Sequence, residues 1–206
     1  ADWFIVDRYL CAAELMAIGA AVIYNKLDLE VDTTAVEREL TNYAKAGYDV
    51  VRCSATDGTG IGDIAKLLNG RCAIVVGQSG VGKSTLINRL IGDDKQRTSS
   101  ISDKTREGRH TTVNSQMIDL PGGGSEIDSP GVRDYAPDLE STAAAALGFR
   151  EITQAAQQCR FSNCRHLREP SCAVKAGVEN GTVSERRYDS YKRVVNLTEQ
   201  LSEGRY

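Results

Sequence analysis

Apolar positions recur at helical spacing between residues 6 and 18, with Leu10, Ala13 and Ala17 in register, and predict an N-terminal helix that Gly19 stops. Residues 20–24 form a short apolar run that predicts a buried strand, and Asn25-Lys26-Leu27-Asp28 follows it. An amphipathic pattern over 33–46 predicts a helix closed by Gly47. A second strand is expected over 49–53, ending in Ser54-Ala55, then a helix over 61–68. A third strand over 71–76 leads through a glycine-rich turn to a helix over 83–91. Such strand–helix alternation predicts an α/β fold, a mostly parallel sheet flanked by helices. Residues 93–112 are polar with little periodicity and too long for an ordinary connection, which marks a functional segment. A strand is expected over 113–120, a turn at Pro121 and its glycines, and residues 125–128 lead into Asp128-Ser129-Pro130-Gly131. Beyond residue 137 the pattern becomes helical, over 139–147, 173–180 and 184–201, with a cysteine-rich loop between the first two. The expected division is therefore 1–137 and 138–206.

Composition narrows the class. A chain of 206 residues can hold one α/β core and a smaller second unit. Its 41% hydrophobic and 26% charged content is that of an ordinary soluble domain. No apolar run reaches the ~18 residues of a membrane span, and no signal peptide opens the chain, so no membrane partner is expected. A net charge of −3 argues against a generally basic nucleic-acid binder but leaves room for a local basic face.

The six cysteines divide into two groups. Cys11, Cys53 and Cys72 are isolated in apolar surroundings and are expected to be buried thiols. Cys159, Cys164 and Cys172 cluster around His166, and a disulfide reading would leave one of them over and ignore the histidine. The spacing Cys159-x4-Cys164-x-His166-x5-Cys172 offers three thiolates and one imidazole, the set for one closed, structural, tetrahedral Zn²⁺ in a cytosolic protein. Redox cysteines are the competing reading. Arg160, Arg165 and Arg168 lie among these ligands, either to meet nucleic-acid phosphate or as a solvated basic loop.

The glycine-rich turn carries the strongest motif. Gly77-Gln78-Ser79-Gly80-Val81-Gly82-Lys83-Ser84 matches G-x-x-x-x-G-K-[ST] in full, between an apolar strand and a helix. Its backbone N–H groups would close around the β-phosphate at a helix N-terminus, Lys83 would neutralise the β- and γ-phosphates, and Ser84 would coordinate Mg²⁺; Thr85 completes the set. The base is read elsewhere. Asp28 can accept two hydrogen bonds from N1 and N2 of guanine, whereas adenine offers no such donor pair. Asn25 and Lys26 complete N-K-x-D, and Ser54 and Ala55 supply support for the base at the next strand end. Asp128-Ser129-Pro130-Gly131 fits D-x-x-G, with Asp128 holding Mg²⁺ through water and the Gly131 N–H on the γ-phosphate. The residue that follows is Val132, which cannot orient a water as a glutamine does in Ras-like enzymes. In Gly108-Arg109-His110-Thr111-Thr112, Thr112 is the favoured Mg²⁺ ligand, with Thr111 second. His110 is the candidate to orient water or act as a base, against a solvated loop histidine. The base motifs precede the phosphate loop, the reverse of the Ras-like order, so the chain reads as circularly permuted.

The succession N-K-x-D, S-A, G-Q-S-G-V-G-K-S, G-x-x-H-T-T, D-S-P-G and C-x4-C-x-H-x5-C resembles the bacterial circularly permuted GTPases activated by the small ribosomal subunit. Asp7-Arg8-Tyr9-Leu10 also looks like the entry helix of that family, and the resemblance extends over residues 7–200. It implies a cytoplasmic, monomeric GTP hydrolase (GTP to GDP and phosphate) acting in late maturation of the 30S subunit, with 16S rRNA and the subunit as partners. It implies Asn25, Lys26 and Asp28 for guanine, Lys83 and Ser84 for phosphate and Mg²⁺, Thr112 and Asp128 for the switches, and His110 for catalysis. Val113 stands where that family has a third threonine. The family also carries an N-terminal oligonucleotide-binding barrel, which this chain is expected to lack. The alternative reading is a nucleotide-gated RNA-binding module with negligible turnover.

Overall fold

The computed structural model describes residues 2–29, 33–92, 116–128 and 144–203. Along the chain these form α1 (Trp3–Leu15), β1 (Ala21–Tyr24), α2 (Thr34–Lys45), β2 (Asp49–Arg52), α3 (Ile61–Leu68), β3 (Cys72–Ile74), α4 (Lys83–Ile91), β4 (Gln116–Asp119), β5 (Ser125–Asp128), α5 (Ala144–Leu147), α6 (Arg150–Ala156), α7 (Ala173–Glu179) and α8 (Glu185–Glu203). They gather into two compact units. One comprises Ala1–Ala21, Ala35–Asp49 and Asp134–Tyr206, the other Val22–Thr34 and Val50–Arg133. These units are discontinuous in sequence. They differ from a linear cut at residue 137 in grouping α1 and α2 with the C-terminal helices.

In the second unit β1 pairs with β2, and a three-stranded sheet has the order β3-β5-β4. β5 is parallel to β3 and antiparallel to β4, with Ile127 opposite both Ile74 and Met117. The α/β reading thus holds, with one parallel and one antiparallel pairing in this sheet. A tight turn joins β4 to β5, in which Leu120 N–H donates to the Gly124 carbonyl at 3.0 Å. Gly124 has φ +97, and a Cβ there would stand 2.4 Å from the Leu68 carbonyl oxygen, so only glycine lets the turn approach the end of α3. Cys53, Ala55, Ile64, Leu68, Leu86 and Leu120 form the core. Cys72 does not join it, contrary to the expectation of a buried thiol: it opens β3 and is exposed.

The first unit is helical. Asp2 caps α1, its carboxylate accepting from the Phe4 N–H at 3.1 Å, so the helix starts at Trp3 rather than near residue 6. Its buried side is Asp7, Leu10, Cys11 and Ala12. The core includes Phe149, Ile152, Val174, Tyr191, Val194 and Val195, with Phe149 edge-on to Tyr191 at 5.8 Å between ring centroids. Beside it lies a buried ionic network. Arg187 donates to Asp7 at 2.7 Å and to both oxygens of Glu151, Arg186 donates to Asp7 and Glu39, and the Tyr43 hydroxyl donates to Asp7 at 2.7 Å. Asp7 and the Arg187 side chain are essentially free of solvent (0% and 1% exposed), so loss of one partner strands a buried charge at a cost of about 3–5 kcal/mol. Residues 7 and 187 are thereby joined across the length of the chain. α6, which begins one residue after Phe149, falls where a loop was expected; its seven residues are too few to show a period.

Candidate nucleotide site and metal centre

The nucleotide motifs meet at strand ends in the second unit. Cys53 N–H donates to the Tyr24 carbonyl at 2.8 Å, which carries the β1–β2 pairing one step further and sets Asn25 beside Ser54. Asn25 then joins three segments. Its Oδ1 accepts from the Ala55 N–H at 3.0 Å, and its Nδ2 donates to the Val81 carbonyl in the phosphate loop at 3.0 Å. Ser54 Oγ donates to Asp28 Oδ1 at 2.7 Å and accepts from the Asp57 N–H at 3.2 Å, which orients the carboxylate. Lys26, between Asn25 and Asp28, takes a left-handed backbone (φ +76) that makes the turn out of β1.

The phosphate loop, 77–84, runs from the end of β3 into α4, with Gly77, Gly80 and Gly82 all at positive φ. A Cβ at Gly82 would lie 2.5 Å from Asn25 Nδ2, so glycine there permits the approach that joins phosphate loop to base motif. Lys83 Nζ donates to the Gly77 and Gln78 carbonyls at 2.7 and 2.8 Å, which places the ammonium over the loop. Asp128 closes β5, opposite Gln116. His110, Thr111, Thr112, Gly131 and Val132 lie outside the described residues.

The four zinc candidates converge in the first unit. Their ligand atoms all lie within 4.8 Å of one another. Cys159 Sγ stands 3.9 Å from Cys172 Sγ, and His166 Nδ1 stands 3.6 and 3.5 Å from Cys159 Sγ and Cys172 Sγ. Zinc bonds of about 2.3 Å to sulfur and about 2.0 Å to nitrogen give tetrahedral edges of about 3.8 Å (S···S) and about 3.5 Å (S···N). The three edges among Cys159, His166 and Cys172 match, and with Cys164 inside the same 4.8 Å cluster the set of three thiols and one imidazole is compatible with that ion. Burial lowers the His166 pKa and keeps the imidazole neutral, the form that ligates. Burial opposes ionisation of Cys159, but hydrogen bonds from the N–H groups of Ala173 and Val174, at the start of α7, hold its thiol below the usual range. Burial pushes the Cys164 thiol up to about 12, so gathering three thiolates here calls for a cation.

What shapes this loop was not legible from the ligands alone. The Tyr188 hydroxyl donates to the His166 carbonyl at 2.5 Å and the Tyr191 hydroxyl to the Arg165 carbonyl at 2.6 Å. Burial works against the charge of Glu169, but it accepts from the N–H groups of Arg165, Leu167 and Arg168 and its pKa falls to about 2. Arg165 pairs with Glu199, so its charge is partly neutralised. A groove of about 420 Å³ elsewhere in this unit, lined by Asn42, Lys45, Ala155, Ala176, Thr182 and Ser184 among others, holds none of the candidate site residues.

A strand-to-helix phosphate loop tied to an N-K-x-D turn that precedes it in the chain defines the class of circularly permuted, guanine-type P-loop proteins. Residues 1–137 match the family model for the RsgA GTPase, and the chain belongs to that family. It is 39% identical over 193 residues to the small ribosomal subunit biogenesis GTPase RsgA of Pseudomonas fluorescens (strain Pf0-1), covering 93% of this chain and 56% of that protein. It is 42% identical over 189 residues to the protein of the same name from Chlorobaculum tepidum, covering 91% and 60%. The fold is similar to the crystal structure of YjeQ from Thermotoga maritima, with a TM-score of 0.77 and 29% identity over 96% of this chain and 66% of that one. It is also similar to that of YloQ, titled a circularly permuted GTPase, with a TM-score of 0.78 and 28% identity over 97% and 64%. The chain thus spans under two thirds of the length of these curated relatives.

Proposed function

We propose that this chain hydrolyses GTP to GDP and phosphate in late maturation of the small ribosomal subunit, that the 30S subunit stimulates it, and that the bound nucleotide gates its binding and release. The observation that carries the reading is the Asn25 bridge between Ala55 and Val81, beside an Asp28 oriented by Ser54. That arrangement suits a guanine base with its phosphates in the 77–84 loop. The two Asp28 oxygens, one of them fixed by Ser54, suit a donor pair that guanine has and adenine lacks. Lys83 moves from two loop carbonyls to the β- and γ-phosphates, exchanging neutral acceptors for charged ones.

Mg²⁺ held with the nucleotide neutralises phosphate charge, and Ser84, Thr112 and Asp128 are the residues that would hold it. Gly131 contacts the γ-phosphate, and His110 orients the attacking water in place of the glutamine that Val132 does not supply. The domain reading is a permuted nucleotide domain over 1–137 and a helical zinc-binding domain over 138–206, in which Cys159, Cys164, His166 and Cys172 hold one structural Zn²⁺. We place the protein in the cytoplasm as a monomer. Among the described residues no helix is long and apolar enough to cross a membrane.

Co-sedimentation with separated ribosomal subunits tests the partner. The chain is expected with the 30S fraction in a non-hydrolysable GTP analogue and largely free in GDP. Equal recovery with 30S and 50S subunits, or equal recovery in both nucleotides, would remove the assignment.

A further inference from the structure

Asn25 has a third hydrogen bond that no nucleotide motif includes. Cys53 Sγ lies 3.5 Å from Asn25 Oδ1, in the geometry of a thiol donating to an amide oxygen. Cys53 is fully buried and held by its own backbone on both sides: its N–H donates to the Tyr24 carbonyl at 2.8 Å, and its carbonyl accepts from the Leu27 N–H at 3.1 Å. The sulfur is therefore set between β1 and the turn that carries Asp28. Burial raises the thiol pKa, so the proton needed for donation stays in place.

The amide arithmetic gives this contact a consequence. Asn25 Oδ1 can accept two hydrogen bonds, and Ala55 N–H and Cys53 S–H supply both. Its Nδ2 has two N–H groups, and one is committed to the Val81 carbonyl. Among the described residues the other N–H has no partner, and its direction is fixed once the other three positions are. Guanine presents two acceptors, N7 and O6, on its major-groove edge, distinct from the N1 and N2 donors that Asp28 would take.

We propose that Cys53 is a positioning residue of the nucleotide site: its thiol locks the Asn25 amide so that the remaining N–H meets the acceptor edge of guanine. This deepens the guanine-nucleotide reading above and rests on it. Cys53 touches no ligand; it acts only through Asn25. A single thiol hydrogen bond has a modest net effect, so the consequence is one of affinity and not of all-or-none binding.

The test compares wild type, Cys53→Ala and Cys53→Ser by GDP affinity, alone and with Asn25→Ala, and by the Raman S–H stretching band. Cys53→Ala should weaken GDP binding roughly three- to tenfold, the equivalent of one neutral hydrogen bond. Cys53→Ser, which keeps a donor of similar size, should stay within about twofold of wild type by the same reckoning. In the Asn25→Ala background Cys53→Ala should have no further effect. The Cys53 band, assigned by difference against Cys53→Ser, should lie at low frequency and rise in Asn25→Ala. An unmoved band, or loss in Cys53→Ala that Cys53→Ser does not restore, reduces Cys53 to packing and overturns the proposal. The band needs no nucleotide, so it separates the two readings. A wild-type chain that shows the low band but prefers ADP to GDP refutes the guanine assignment, and with it the role proposed for Cys53.

Discussion

The Asn25 amide cannot be flipped without losing both its acceptor contact to Ala55 N–H and its donor contact to the Val81 carbonyl. That orientation makes two side-chain predictions. Asp28→Asn replaces an acceptor by a donor at the oxygen not bound by Ser54. GDP affinity should fall by roughly 100-fold or more and xanthosine diphosphate should become the better ligand, since a site built to hydrogen-bond rejects a mismatched partner strongly. Competition of the two diphosphates for a fluorescent analogue measures this, and unchanged preference for GDP would show that Asp28 does not read the base. Gly82→Ala would put a Cβ 2.5 Å from Asn25 Nδ2 at φ +95. Left-handed backbone costs an alanine about 1–2 kcal/mol before the overlap is relieved, so calorimetry should show GDP affinity down by roughly tenfold or more. Wild-type affinity in Gly82→Ala would mean that the loop and base motif need not meet.

At the scale of elements, legibility followed the locality of the signal. α3 and α4 begin and end where the pattern places them, because each is bounded by its own glycines and carries a full apolar stripe. The strand-to-helix turn at 77–84, the N-K-x-D turn and the convergence of the Cys/His cluster were readable because their spacing is short and their chemistry specific. The Asp7–Arg187–Glu151 network was not, because one charged residue per helix, far apart in sequence, leaves no pattern. Nor were the tyrosines of α8 that shape the zinc loop: a helix stripe shows that Tyr188 and Tyr191 are buried, not that their hydroxyls reach the His166 and Arg165 carbonyls. With the proposed zinc in the Cys/His cluster, a strong chelator should lower the thermal midpoint and loosen residues 159–172, because clustered thiols without a cation repel or protonate. Tyr188→Phe should hold zinc less tightly with all four ligands intact, at a cost of about 1–3 kcal/mol for the unmet carbonyl. Chelator competition reads both, and a chelated chain with an unchanged midpoint would deny the metal a structural role.

For the molecule as a whole, the order of motifs matters more than any one of them. The base motif belongs to a strand pair at the start of the second unit, and the phosphate loop follows it, so the sheet is entered at a different point than in Ras-like proteins. By contact α1 and α2 group with the C-terminal helices, and that grouping depends on long-range burial that a linear pattern does not carry. The described residues bring together the groups proposed to hold a guanine nucleotide, and the proposed catalysis by His110 is tied to stimulation by the ribosome. The most direct measurement is therefore steady-state GTP hydrolysis by this chain, alone and with added 30S subunits, with ATP and 50S subunits as controls. The account predicts slow turnover of GTP alone, an increase of roughly tenfold or more with 30S subunits, as when a partner completes a catalytic site, and little response to either control. Hydrolysis of ATP as fast as GTP, or a GTP rate indifferent to 30S subunits, would contradict it.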